Sequence, residues 1–263
     1  MPSKKFLGVI TIFRIMTFLV FRSFRPDQSA DELSLEYLEK TTNTDLPITH
    51  LLSGHSQAQS RYVQLTEEQV ADVHALVSAF VEHTVHRIFI KPQSDSISEA
   101  KLMPVTQSDV VRFLAHSDMV LWPELAKTPI AKLTGFGSND VIKVKANRPA
   151  IEAYREMYLN NFEALAIVDS TESLINTLSV SDLRGMSRKT LDRLLWTSEE
   201  LASKAHSIKS HVALPATATF MDVVNAVADA GVHTAWIVDS ANRVSRIVNL
   251  SDIIHTFAKV ATN

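Results

Sequence analysis

Three short motifs hold the residues best suited to chemistry: Thr106-x-Ser108-Asp109, Ser179-x-Ser181-Asp182 and Asn249-x-Ser251-Asp252. Each follows an apolar run and precedes a stretch of helical periodicity, which places it at a strand-to-helix junction. An ionised Asp only accepts hydrogen bonds, and its two oxygens can take the adjacent hydroxyls of a ribose. Neighbouring hydroxyls and the free N–H groups of a helix start can then meet phosphate oxygens. The same residue types are preferred helix N-caps, and any one motif alone reads as a cap. Three at matching positions make coincidence a weaker account, although a repeated cap would also recur.

The matching positions belong to an internal repeat. Gly231-Val-His-Thr-Ala-Trp-Ile-Val-Asp-Ser240 aligns with Asn161-Phe-Glu-Ala-Leu-Ala-Ile-Val-Asp-Ser170, and each leads into its own Ser-Asp motif. An earlier copy runs from Thr84-Val-His-Arg-Ile-Phe-Ile90, through a polar loop, to Thr106 and its motif. The unit is an amphipathic helix, a buried strand, a tight turn, a second strand and a helix. In the second unit the first helix shows an apolar stripe at Val70, Val73, Val77, Phe80 and Val81. Pro149 and Asp222 mark helix starts in the third and fourth units. One such unit has two or three strands and two helices, too little to bury its apolar face alone. Units must therefore pair, and the third and fourth form a natural pair across a pseudo-twofold axis.

The expected organisation is a remnant of a first unit at 1–24, a linker at 25–60, a second unit at 61–117, a linker at 118–138, and third and fourth units at 139–197 and 198–263. The apolar run from Phe6 to Phe21 resembles an anchor, but it is short for a bilayer and carries Arg14 at its middle. It reads better as a strand at Phe6 to Val9 followed by a helix, the back half of a repeat with Thr11 at the hydroxyl position and Arg14 at the Asp position. The second unit lacks a complete first unit to pair with, so either the sequence is a fragment, or the second unit packs imperfectly or against a partner. A helical stretch is expected around Ala30 to Lys40, and a connecting helix over Ser187 to Ser207.

Composition narrows the function. With 263 residues, 46% of them hydrophobic, the chain has material for a substantial core. A net charge of -3 with no dominant basic stripe argues against nucleic acid. There are no cysteines, which removes disulfides and thiolate zinc sites and fits a reducing compartment. Six glycines form no phosphate loop. No hydrolase elbow or kinase loop is present, and the pair His83 and His86 lacks further ligands for a metal. No catalytic site and no metal site emerge. The three Trp residues read as packing anchors.

The repeat resembles the CBS domain, a ligand-binding regulatory module that works in pairs. The resemblance implies an α/β (α+β) fold of tandem CBS repeats, small sheets with flanking helices paired by pseudo-twofold symmetry. Val85-His-Arg87, Val232-His233 and Ile247-Val-Asn-Leu-Ser-Asp-Ile-Ile254 further resemble the gamma regulatory subunits of AMP-activated protein kinase. That likeness implies ribose-holding roles for Asp109, Asp182 and Asp252. It also implies phosphate or hydroxyl contacts from Thr106, Ser179, Ser181, Ser251, His86, Arg87 and His233. The bland reading of the two histidines is a backbone-satisfied side chain, and of Arg87 a solvated charge. Thr234 in place of Arg, Asn249 in place of a hydroxyl, Glu163 where a phosphate would be repelled, and Arg14 all depart from the pattern. Lys143 and Lys145 are further possible contacts, or an exposed strand face.

The implied function is a non-catalytic subunit that senses AMP, ADP or ATP and signals to kinase catalytic and scaffold subunits, in the cytoplasm or also the nucleus. The alternative is a CBS scaffold for a phosphatase or kinase regulator, with degenerate nucleotide sites.

Overall fold

A computed structural model describes residues 9–19, 34–41, 62–91, 102–117, 122–205 and 211–261. The strand expected at 6–9 lies almost wholly outside them, as does most of the linker at 25–60. The helix after that strand is present as α1 (Ile12–Leu19). Thr11 caps it by accepting from the Arg14 N–H at 3.2 Å, the same spacing as the bond from the Asp109 N–H to Thr106. From the linker, α2 (Leu35–Thr41) is described, and its Leu38 is fully buried.

The second unit contains β1 (Tyr62–Thr66), α3 (Val73–Glu82), β2 (Arg87–Lys91), β3 (Met103–Thr106) and α4 (Gln107–His116). Val70 of the expected stripe falls in a separate short turn, because Asp72 caps α3 by accepting from the Ala75 N–H at 2.7 Å. A connection containing α5 (Pro123–Lys127) leads to the third unit: β4 (Lys143–Lys145), α6 (Ala150–Asn160), β5 (Ala164–Val168) and β6 (Leu174–Ser179). The single helix expected over 187–207 is instead a 3-10 segment, Arg188–Leu195, followed by α7 (Ser198–Ala205). Thr190 breaks it, with non-helical backbone angles. The fourth unit has β7 (Val212–Pro215), α8 (Phe220–Ala230), β8 (Thr234–Val238), β9 (Val244–Asn249) and α9 (Leu250–Ala261).

The sheets share one topology. In each, the first strand runs parallel to the second and the third antiparallel to it. Units three and four even share an irregularity, a register shift at Ile167/Val168 and at Ile237/Val238. The repeated Val-Asp-Ser explains the turn that follows. Asp169 Oδ1 accepts from the N–H groups of Thr171 and Ser173, and Asp239 Oδ1 from those of Ala241 and Arg243. Local acceptors of this kind fold the chain back on itself.

Two different interfaces hold the units together. Units three and four meet sheet to sheet, with Ala164, Ala166 and Leu174 packed on Trp236, Val244 and Ile247. The Trp236 indole N–H donates to Thr177 Oγ1 at 2.7 Å, which satisfies its one polar atom. Units two and four meet helix to helix: Phe80, Val110 and Leu114 share a core with Phe220, Val224, Ile254 and Phe257. The second unit therefore buries its helical face inside the molecule. In the third unit α1 packs on the turn Val180–Leu183 and α2 on the segment Arg188–Leu195. Each of units three and four is thus flanked by helices from earlier in the chain. Among the described residues no helix is long and apolar enough to cross a membrane.

Candidate functional site

One backbone hydrogen bond builds each junction. The Gln107 N–H donates to His86 O at 3.3 Å, Val180 to Glu163 O at 3.0 Å, and Leu250 to His233 O at 3.3 Å. The residue that precedes each central strand is therefore held beside the Ser-Asp motif of its own unit. His86, Glu163 and His233 occupy equivalent places, as do Arg87, Ala164 and Thr234, which face Thr106, Ser179 and Asn249 across the strands.

The junctions are brought together. His86 Nδ1 lies 3.8 Å from Glu163 Oε1, joining the second unit to the third. Gln107 Nε2 donates to Ser251 Oγ at 3.0 Å and to Val85 O at 3.1 Å, joining the second unit to the fourth. Gln107 is buried. It stands where the other units carry Val180 and Leu250, and that polar outlier at an apolar motif position was the signal that could have marked it. Its partner Ser251 is one of the expected ligand residues.

The three Asp residues all cap their own turns, yet in different surroundings. Asp109 is exposed and takes the Thr106 N–H and hydroxyl at 2.9 and 2.7 Å, with Arg112 at 3.4 Å. Asp182 is only 4% exposed and takes the Ser179 N–H at 2.7 Å. Beneath it the Tyr154 hydroxyl donates to Ser179 O, and its pKa is driven well up, first by burial and then by the Asp182 charge. Asp252 takes the Asn249 N–H at 2.7 Å through one oxygen. Its other oxygen carries no hydrogen bond among the described residues. Burial raises the Asp252 carboxyl above its ordinary value, opposed by the Asn249 N–H and by His255. A carboxylate with about four lone-pair positions keeps room for a diol after a single capping bond. Asp252 has that room most plainly.

The remaining expected contacts divide between engaged and open groups. The Ser179 and Ser181 hydroxyls bond each other at 2.6 Å, and the Thr106 hydroxyl serves Asp109. Among the described residues Arg87 makes no ion pair or side-chain hydrogen bond, and it sits half-buried opposite Thr106. His233 is exposed. Two departures from the pattern explain one another: the Thr234 hydroxyl donates to Asn249 Oδ1 at 3.1 Å. Glu172 occupies the strand lysines, pairing with Lys143 at 3.9 Å and with Lys145. No cluster of potential metal ligands occurs among the described residues.

Comparison with known proteins agrees with this geometry at the level of the fold. No family model matches the chain. The AMP-activated protein kinase gamma subunit of Dictyostelium discoideum is 23% identical over 203 residues, 73% of this chain and 34% of the relative. The chain thus spans about a third of the curated relative it matches. Among solved structures, a Methanocaldococcus jannaschii protein described as a proposed archaeal homolog of γ-AMPK superposes with a TM-score of 0.65 at 17% identity. That match covers 97% of this chain and 85% of the other. An uncharacterised protein from Pyrococcus horikoshii gives 0.54 at 16% identity, over 82% and 80%. The repeated three-stranded units, their sheet-to-sheet pairing and these superpositions give the chain the fold of paired CBS domains.

Proposed function

We propose that the chain is a non-catalytic regulatory subunit that senses adenine nucleotides at its strand-to-helix junctions and transmits occupancy to a protein kinase complex. The observation that carries this reading is the convergence of the junctions. The second unit's junction touches the third through His86 and the fourth through Gln107, so a ligand at one junction alters contacts of another. In this reading Asp252 accepts from the ribose diol, while Asp109 and Asp182 stand at the equivalent places of their units, where they serve their own turns. Ser251, Ser179, Ser181 and Thr106 offer hydroxyls, and Arg87, His86 and His233 meet phosphates. The Asp252 oxygen and the Arg87 guanidinium that are unengaged among the described residues support it. Differential affinity of the ligand for two arrangements of the junctions would then set which surface meets the kinase catalytic and scaffold subunits. In this reading its place of action is the cytoplasm.

A second reading, a CBS scaffold for a phosphatase or kinase regulator, is favoured by one feature. Glu163 puts a carboxylate beside His86, where phosphates would be repelled. Thermal melts of the full chain with AMP, ADP, ATP and S-adenosylmethionine separate the two. The sensor reading expects stabilisation that grows with the concentration of at least one adenosine compound. Indifference to all four at millimolar concentration leaves the scaffold.

A further inference from the structure

We infer that the fourth unit carries a separate site for a small organic anion, between the connecting segment and the far end of its sheet. A cavity of about 290 Å³ lies there, with Arg246, Ser245 and Asn139 on its polar side and Ile130, Ala216 and Ile237 on its apolar side. Its volume is near the lower bound of typical ligand pockets, roughly 300–1,000 Å³.

The walls are fixed by backbone bonds. The Ile130 N–H donates to Ala218 O at 2.9 Å, and Ser138 exchanges two bonds with Ile247 at 2.8 and 2.9 Å. Gly137 has a φ of +75°, and a Cβ there would stand 2.4 Å from Ile247 O, so the segment is pressed against β9. Inside this frame the Arg246 guanidinium is held by Asn139 Oδ1 at 3.1 Å and by the carbonyls of Phe136 and Ile130 at 3.2 and 3.5 Å. Every one of these acceptors is neutral. Among the described residues Arg246 forms no ion pair, and its second terminal nitrogen makes no hydrogen bond. A half-buried, oriented cation without a counter-charge is matched by an anion with forked oxygens. The apolar side accepts a short hydrocarbon body. The Ser245 hydroxyl, already donating to Ile237 O at 3.1 Å, can accept as well.

This site does not depend on the nucleotide reading. Arg246 precedes Asn249 by three residues of one strand, about 10 Å at the usual rise, so the cavity lies toward the opposite end of β9 from Asp252. The test follows the arginine Nε–H resonances of the full chain by NMR during titration with inorganic phosphate and with butyrate. A saturable shift of the Arg246 signal with one of these anions is expected, unchanged in Asp252→Ala. The two probes distinguish a phosphate ligand from a carboxylate with an apolar body. Arg246→Lys keeps the charge but loses the fork and, followed through the backbone N–H of Ser245 in place of the lost arginine signal, should weaken binding by about tenfold. Ala216→Leu narrows the cavity mouth without touching the guanidinium and should weaken butyrate. It serves as the decisive variant if Arg246→Lys fails to fold. No saturable shift with either anion up to about 50 mM, far above the affinity a built site implies, or binding unaltered by both substitutions, overturns the site and leaves Arg246 as a clamp for the connecting segment.

Discussion

The third and fourth units share a sheet, a turn and a helix-capping Asp, and they diverge at the capped turn itself. In the third, Asp182 is buried above Tyr154, and Val180 fills the position between the two serines. In the fourth, Asp252 keeps an unengaged oxygen, and Ser251 reaches across to Gln107 of the second unit. The same motif is spent on local stability in one unit and left available in the other. What surrounds a repeat therefore decides which of its copies keeps an open acceptor.

Substitutions can break this comparison, beginning with the interface common to both units. Trp236→Ala removes the largest side chain of the sheet-to-sheet contact and its bond to Thr177. It should cost about 3–5 kcal/mol, read as a lowered denaturation midpoint. Asp182→Ala strips the acceptor from a buried turn and should destabilise by about 1–3 kcal/mol, with nucleotide affinity little changed. Gln107→Leu installs the residue type found at position 250, but leaves Val85 O and Ser251 without their partner. A loss of about 1–2 kcal/mol is expected, and combining it with Ser251→Ala should cost less than the sum of the two. Additive costs would deny the link between the second and fourth units.

The smallest effect is one of pH. Burial raises the folded-state pKa of Asp252 above its unfolded value, so the neutral form is favoured by folding. Its contribution to stability is fully present below the unfolded pKa of about 3.9 and is lost as pH rises through the raised folded value. Diol binding needs the ionised form, so affinity should fall as pH drops through that same raised value. A denaturation series in which Asp252→Asn changes nothing across that acid window would contradict the assigned burial.

Much of the fold was legible because its causes are local. The Val-Asp-Ser turns, the Ser-Asp caps and the apolar strands repeat along the chain, and Arg14 did fall on a capped helix turn beside Thr11. The pairing of units three and four followed from the need of each sheet to bury a face. Packing of the second unit on the helices of the fourth was not legible. It rests on a core that Phe80 and Leu114 share with Phe220 and Phe257, far along the chain, and no periodicity within either segment encodes the partner. The site divides the same way. The Asp and His positions could be read from spacing, whereas Gln107 with Ser251, Thr234 with Asn249, and His86 with Glu163 are cross-chain pairings that only folding creates.

Calorimetric titration of AMP into the full chain and into Asp252→Ala tests the central claim most directly. The account predicts saturable binding to the unaltered chain and a loss of about tenfold or more in the folded variant, the cost of about 1.5–3 kcal/mol for a charge-assisted hydrogen bond. Asp182→Ala, titrated alongside, should bind nearly as the unaltered chain does. Equal affinity in the unaltered chain and Asp252→Ala, or no binding at millimolar AMP, would mean that Asp252 is a helix cap and nothing more.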